Sequence, residues 1–400
     1  MEEAGLELQA QTYMLLIRRY KMDANLEMAL KLLFEMEGRG IGPRIETAED
    51  IVMLAVVKGH PRLAIDLAEN YEATSVRRLD SHVWVKCLIA ASETFYVDGV
   101  VRLWDKVVRE LKLSPDEGVC LNALHTAGRF GLPDLATDII RKLKDVGASL
   151  QEYHFAPVIE ALCRENRIKE ALALLSVMRS SNTSPTAETA HPIFTAIQNS
   201  TDAVDTTWTA LEELRAEGHA IDITALNVVI QASIFQGDLQ RAVGIYQFCA
   251  ELQVAPTIET YNVLLSGCIA ANHRELGDRF IADMKEAKIK PDAQTYERLI
   301  VLCLTGRTYE DAFFYLEEMK AEGYLPPQAV YEAIIRRCVA ERDERYHVAL
   351  AEMREFGYEV TGRLESFIGS GGTTDWVPKR RERASQGGEG EASSPPSQNP

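Results

Sequence analysis

Tyr261, Tyr296 and Tyr331 follow one another at 35-residue intervals, and Cys268, Cys303 and Cys338 keep the same interval seven places later. A fixed period of this size marks a chain that stacks one small supersecondary unit on the next, because no unit can bury its apolar face alone. Counted from Ala10, the sequence divides into ten copies: 10–44, 45–80, 81–116, 117–151, 152–186, 187–222, 223–257, 258–292, 293–327 and 328–362. Seven have 35 residues and three are one residue longer. At 400 residues the chain exceeds one ordinary compact core. The period resolves that excess in favour of an array.

Each copy carries the punctuation of a helical hairpin. The twentieth place holds Ala29, Ala64, Ala136, Ala171, Ala242 and Ala312, small side chains that let two helices cross closely. Seven places on stand Met36, Met178, Met284 and Met319, then Gly40, Gly147 and Gly323, then Pro43, Pro185, Pro256, Pro291 and Pro326. An apolar helix end followed by Gly and then Pro is a helix stop, since Gly accepts the left-handed cap and Pro forbids continuation. Openings such as "TYMLLIRRY" and "TYNVLLSGC" have apolar residues at helical spacing, and "QGD" at 236–238 breaks the chain before a second helix. The expected fold is all-α, about ten stacked hairpins.

Composition narrows the function classes. A net charge of -17 argues against a polyanion binder held by bulk charge, so any nucleic-acid face has to be local. No run of about 18 apolar residues offers a membrane span, and no membrane partner is expected. The seven cysteines include no C-x-x-C pair and, without a secretory signal peptide, read as reduced thiols. Cys268, Cys303 and Cys338 are expected to be small buried side chains in equivalent core places. The sequence contains no H-E-x-x-H, G-x-x-x-x-G-K-[ST] or G-x-S-x-G, and its eight histidines have no ligand spacing. Neither catalytic residues nor a metal or cofactor is therefore expected, and the chain is read as not an enzyme.

The 35-residue length, the "TYN" at 260–262, the M-x-x-x-x-I-K-P-D ending at 284–292 and the recurring Ala, Gly and Pro together resemble the pentatricopeptide repeat family. Tetratricopeptide repeats have a 34-residue period and a Trp, Leu-Gly, Tyr pattern that is missing here. The resemblance implies a right-handed α-solenoid superhelix whose first helices line a groove for single-stranded RNA in a mitochondrion or chloroplast.

In that family each unit reads one base, chiefly through its fifth and last residues. Carried over residue by residue, the unit 258–292 offers Asn262 with Asp292, a pair the resemblance associates with uracil. The unit 223–257 offers Asn227 with Thr257 and keeps only the first of the two. Met14 with Arg44, Leu121 with Gln151, Ala156 with Thr186, His191 with Asp222 and Glu297 with Pro327 depart from the pattern. So do Glu46, Glu188 and Glu259 in the second place, which is aliphatic in the family. Arg18, Arg129, Arg164 and Arg336, against Glu93 and Glu160, stand where the first helices would face the groove. The expected RNA-binding set is Asn262, Asp292, Asn227, Thr257, Arg129 and Arg164.

Residues 1–9 fit the last nine places of a further unit, so the chain is expected to continue upstream, and the absence of an Arg-rich transit peptide would follow from that boundary. Residues 363–400 are expected to be a disordered tail, in which "PKRRER" (378–383) reads as solvated charge in preference to a nuclear-import signal or a phosphate-binding arm. The leading functional expectation is a noncatalytic, monomeric RNA-binding adaptor. The alternatives are a scaffold gripping a protein segment in the same groove, and a fragment of an enzyme whose catalytic domain lies outside this chain.

Overall fold

The computed structural model describes residues 9–372, and these hold twenty-one α-helices and no strand. They form two compact units, one built from residues up to Ala271 with Phe280–Ile289, the other from Asn272–Arg279 with the residues from Lys290 on.

The larger unit opens with the hairpins α1 (Ala10–Met22) and α2 (Leu26–Gly38), α3 (Ile45–Val57) and α4 (Pro61–Thr74), and α5 (Ser81–Glu93) and α6 (Val97–Trp104). It continues with α7 (Glu117–Phe130) and α8 (Pro133–Asp145), α9 (Glu152–Arg164) and α10 (Ile168–Ser180), and α11 (Ala187–Ile197) and α12 (Thr201–Ala216). Then come α13 (Ile223–Phe235), α14 (Leu239–Glu251) and α15 (Ile258–Ala271), and α16 (Arg274–Glu286) has residues in both units. The smaller unit holds α17 (Ala293–Thr305), α18 (Glu310–Ala321), α19 (Gln328–Ala340), α20 (Tyr346–Glu355) and α21 (Gly362–Gly369). After α6 the chain widens into a π-helical turn at Asp105–Glu110, where Leu111 N donates to Lys106 O at 2.9 Å. A π turn accommodates one residue more than an α turn, and the 36-residue unit 81–116 absorbs its additional residue there.

Within the larger unit each first helix packs on the first helices before and after it, and each second helix packs on its own partner and on the following first helix. Burial follows the sequence period. Ala29, Ala64, Ala136, Ala171, Ala242 and Ala312 are completely buried, as are Met36, Met178, Met284 and Met319. Tyr261, Tyr296 and Tyr331 are core residues, joined at the same place by Tyr13 and Trp84. Buried tyrosine needs a partner for its hydroxyl, and Tyr13 Oη donates to Glu35 Oε1 at 2.7 Å.

Cys268, Cys303 and Cys338 are buried and unpaired, and burial pushes their thiols up to about 11. Cys87 is pushed to about 12, and Cys120 and Cys249 to about 11. At neutral pH almost no thiolate exists at these six positions, so a thiolate-directed reagent should label them only after denaturation. Rapid labelling of the native protein at any of the six would contradict this packing.

The helix stops are Schellman caps: Gly40 has φ +74°, Gly40 N donates to Glu37 O at 2.9 Å and Ile41 N to Met36 O at 3.0 Å. The same left-handed place is filled without glycine by Gln253 (φ +57°) and Lys288 (φ +56°), which strains a residue with a Cβ. Gln253→Gly should raise stability by about 0.5–1 kcal/mol, read as a higher urea midpoint. An unchanged or lower midpoint would show that the left-handed backbone carries no cost there.

The array extends beyond residue 362, which corrects the expectation that 363–400 is tail. In α21, Leu364 and Phe367 are buried in the core formed by α17 to α20. The cause is local: Leu364, Phe367 and Ile368 share one helical face, and Thr361 caps the helix by accepting from Leu364 N at 3.4 Å. This short helix covers the apolar flank that a last repeat otherwise exposes. The tail from 373 and the expected half-repeat before residue 9 lie outside the described residues.

Candidate nucleic-acid interface

Because the first helices of the larger unit lie side by side, their fifth residues form one row: Met14, Glu49, Val85, Leu121, Ala156, His191, Asn227 and Asn262. The last two are amides on the neighbouring helices α13 and α15, with exposures of only 7% and 4%. Asn227 Oδ1 accepts from Thr260 Oγ1 at 2.7 Å. Thr260 Oγ1 in turn accepts from Thr257 N at 3.0 Å and lies 3.3 Å from Thr257 Oγ1. Asn227 Nδ2 is buried and has no hydrogen-bond partner among the described residues. The structure thus joins Asn227 to Thr257 through a third residue, Thr260, which in the sequence is marked only as part of a helix opening.

The last residues of the units stand at the N-cap position of the next first helices, and several of them cap through their side chains. Asp116 accepts from Val119 N at 2.8 Å, and Asp222 from Thr224 N at 2.8 Å. Thr186 accepts from Thr189 N at 3.3 Å. In the smaller unit, Asp292 Oδ1 accepts from Thr295 N at 2.7 Å and from Thr295 Oγ1 at 2.8 Å. The signal was present, since a Ser, Thr or Asp just before an apolar-periodic run is the mark of an N-cap. Asp222 is committed further, because its buried carboxylate receives the Arg179 guanidinium of α10, through Nε on one oxygen and Nη2 on the other at 3.3 Å. These bonds hold the guanidinium more firmly protonated than usual.

Arg129 and Arg164 occupy the same place at the C-terminal ends of the packed helices α7 and α9. Both are exposed. Arg129 lies over the Phe95 ring, 5.0 Å from its centroid, a cation–π contact. Arg164 Nη2 is bound to Glu160 Oε1 at 2.9 Å, which offsets its charge locally. Arg18 is exposed, and Arg336 lies 5.4 Å from the Phe367 ring centroid. Among the described residues, no group of three or more His, Cys, Asp or Glu side chains is placed to hold a metal ion, and no helix is long and apolar enough to cross a membrane.

Stacked, Schellman-capped helical hairpins with a continuous row of fifth-place side chains define a helical-repeat protein. Three family models match successive parts of the chain: "Pentatricopeptide repeat-containing protein" over 117–249, "PPR repeat family" over 256–304 and "PPR repeat" over 11–41. Together they span more than half of the sequence, and the chain belongs to the pentatricopeptide repeat family. No curated protein matches it significantly. Among solved structures, it is similar to the pentatricopeptide repeat protein PPR10 from maize at 18% identity, over 90% of this chain and 55% of that one, with a TM-score of 0.39. It is also similar to PPR10 in complex with an 18-nt psaJ RNA element, at 16% identity over 89% and 65%, with a TM-score of 0.32. The chain spans less than two thirds of the length of each.

Proposed function

We propose that the protein is a noncatalytic adaptor that binds single-stranded RNA along its row of first helices and acts on an organellar transcript, in its processing, stability or translation. The observation that carries this reading is the Asn227 amide, a buried donor without an acceptor among the described residues, standing in the fifth place of a repeat whose family reads bases from that place. Asn262 follows it one unit on, and Thr257 is the last residue of the Asn227 unit; the pairing of Asn262 with Asp292 for uracil rests on the family's pattern alone. Arg129 and Arg164 supply phosphate contacts at two adjacent repeats. Few amide slots and a chain of net charge -17 give modest affinity, with selectivity concentrated at one or two bases and weakening by salt.

Selection from a randomised single-stranded RNA pool at low salt tests this. The expected result is enrichment at one or two positions, with uracil favoured at one, and binding that falls as salt rises. The acidic charge and Glu46, Glu188 and Glu259 in the second places favour a second reading, a scaffold for a protein segment. No enrichment at low salt would move the assignment to that scaffold.

A further inference from the structure

We infer that Thr260 is a positioning residue, which fixes the Asn227 amide so that the slot of unit 223–257 selects a base presenting a carbonyl over one presenting an amino group. The inference rests on the RNA-binding reading above. Thr260 belongs to the following unit, 33 residues along the chain, and is completely buried. Its hydroxyl has one proton to give. The oxygen already accepts from Thr257 N at 3.0 Å, and the nearer acceptor for that proton is Asn227 Oδ1 at 2.7 Å, against 3.3 Å to Thr257 Oγ1.

The amide is therefore held with its carbonyl on Thr260 and its NH2 group unpartnered among the described residues. An asparagine free to turn offers either a donor or an acceptor; one held in this way offers donors only. Uracil O4 and guanine O6 accept such a bond. The amino groups of cytosine and adenine are themselves donors, and pairing them with Nδ2 leaves two buried donors unsatisfied. The hydroxyl of Thr260 thus sets the chemistry of a slot in the preceding repeat. Recognition at this place becomes a property of two adjacent units.

The test compares the wild type with Thr260→Val, Thr260→Ser, Asn227→Asp and Asn227→Ala on the same randomised RNA pool at low salt, with thermal melting recorded for each. The position whose preference disappears in Asn227→Ala identifies the slot. Wild type and Thr260→Ser should favour uracil or guanine there by about tenfold over cytosine and adenine. Thr260→Val, which keeps the shape and loses the hydroxyl, should reduce that to about twofold or less. Asn227→Asp, which leaves Thr260 in place and replaces donors by an acceptor, should turn the preference toward cytosine or adenine. A merely structural Thr260 would change melting and leave base preference alone. A folded Thr260→Val protein with wild-type preference overturns the inference and leaves RNA binding standing. If Thr260→Val does not fold, retention of the carbonyl preference by Asn227→Asp overturns it. A wild type that enriches no RNA overturns the binding reading and this inference together.

Discussion

Replacing Gly128 by Val should lower the stability of the larger unit by about 3 kcal/mol, through overpacking against a neighbouring helix. Gly128 lies on α7 where Pro157 of α9 comes closest. A Cβ at residue 128 would stand 2.8 Å from the Pro157 carbonyl oxygen and 3.0 Å from its Cα and Cβ. The first two of these atoms belong to the backbone of a neighbouring helix, so no rotamer change relieves the contact and two stacked repeats must separate. Gly244 gives the contrast: it is also within a helix, yet a Cβ there meets nothing within 4 Å. Gly244→Ala should stabilise by about 0.5–1 kcal/mol through helix propensity alone. Opposite signs in urea unfolding would confirm the close approach of α7 and α9, and wild-type stability for Gly128→Val would refute it.

Arg179→Met should cost about 3 kcal/mol, whereas Asp222→Asn should cost about 1. The asymmetry comes from burial. The Asp222 side chain is 1% exposed and that of Arg179 47%. Losing the cation strands a buried carboxylate that still accepts from the Thr224 backbone N–H. Losing the carboxylate lets the guanidinium turn into water, while the asparagine oxygen still caps α13. Urea unfolding of both single variants and the double variant measures the difference. The reverse order, with Asp222→Asn the more damaging, would show that the pair is not held as the structure has it.

That same aspartate shows where sequence reasoning stopped. Helix starts, helix stops and the small-residue crossing were legible from the sequence, because each depends on residues within about one turn or on an interval that repeats. The helices open at Ala10, Ile45, Ser81, Glu117, Glu152, Ala187, Ile223, Ile258, Ala293 and Gln328, the first residues of the ten sequence units. The signals for α21 were also local, in Thr361, Leu364 and Phe367, but they were hidden by the polar stretch that follows.

The tertiary structure decided what the polar residues do. Asp222 reads in the sequence only as the last residue of a pair that departs from the family pattern, until Arg179, 43 residues earlier, is placed against it. Asn227 reads as an open amide until Thr260, in the next repeat, takes its oxygen. Gly128 reads as one more small helical residue until Pro157 arrives beside it. The sequence by itself determined the repeating hairpin, since local backbone preference and periodic burial are written within each unit. Only the packed array determined which polar atoms are committed and which remain to be used, because those partners come from neighbouring repeats and a repeat alone does not specify what stands next to it.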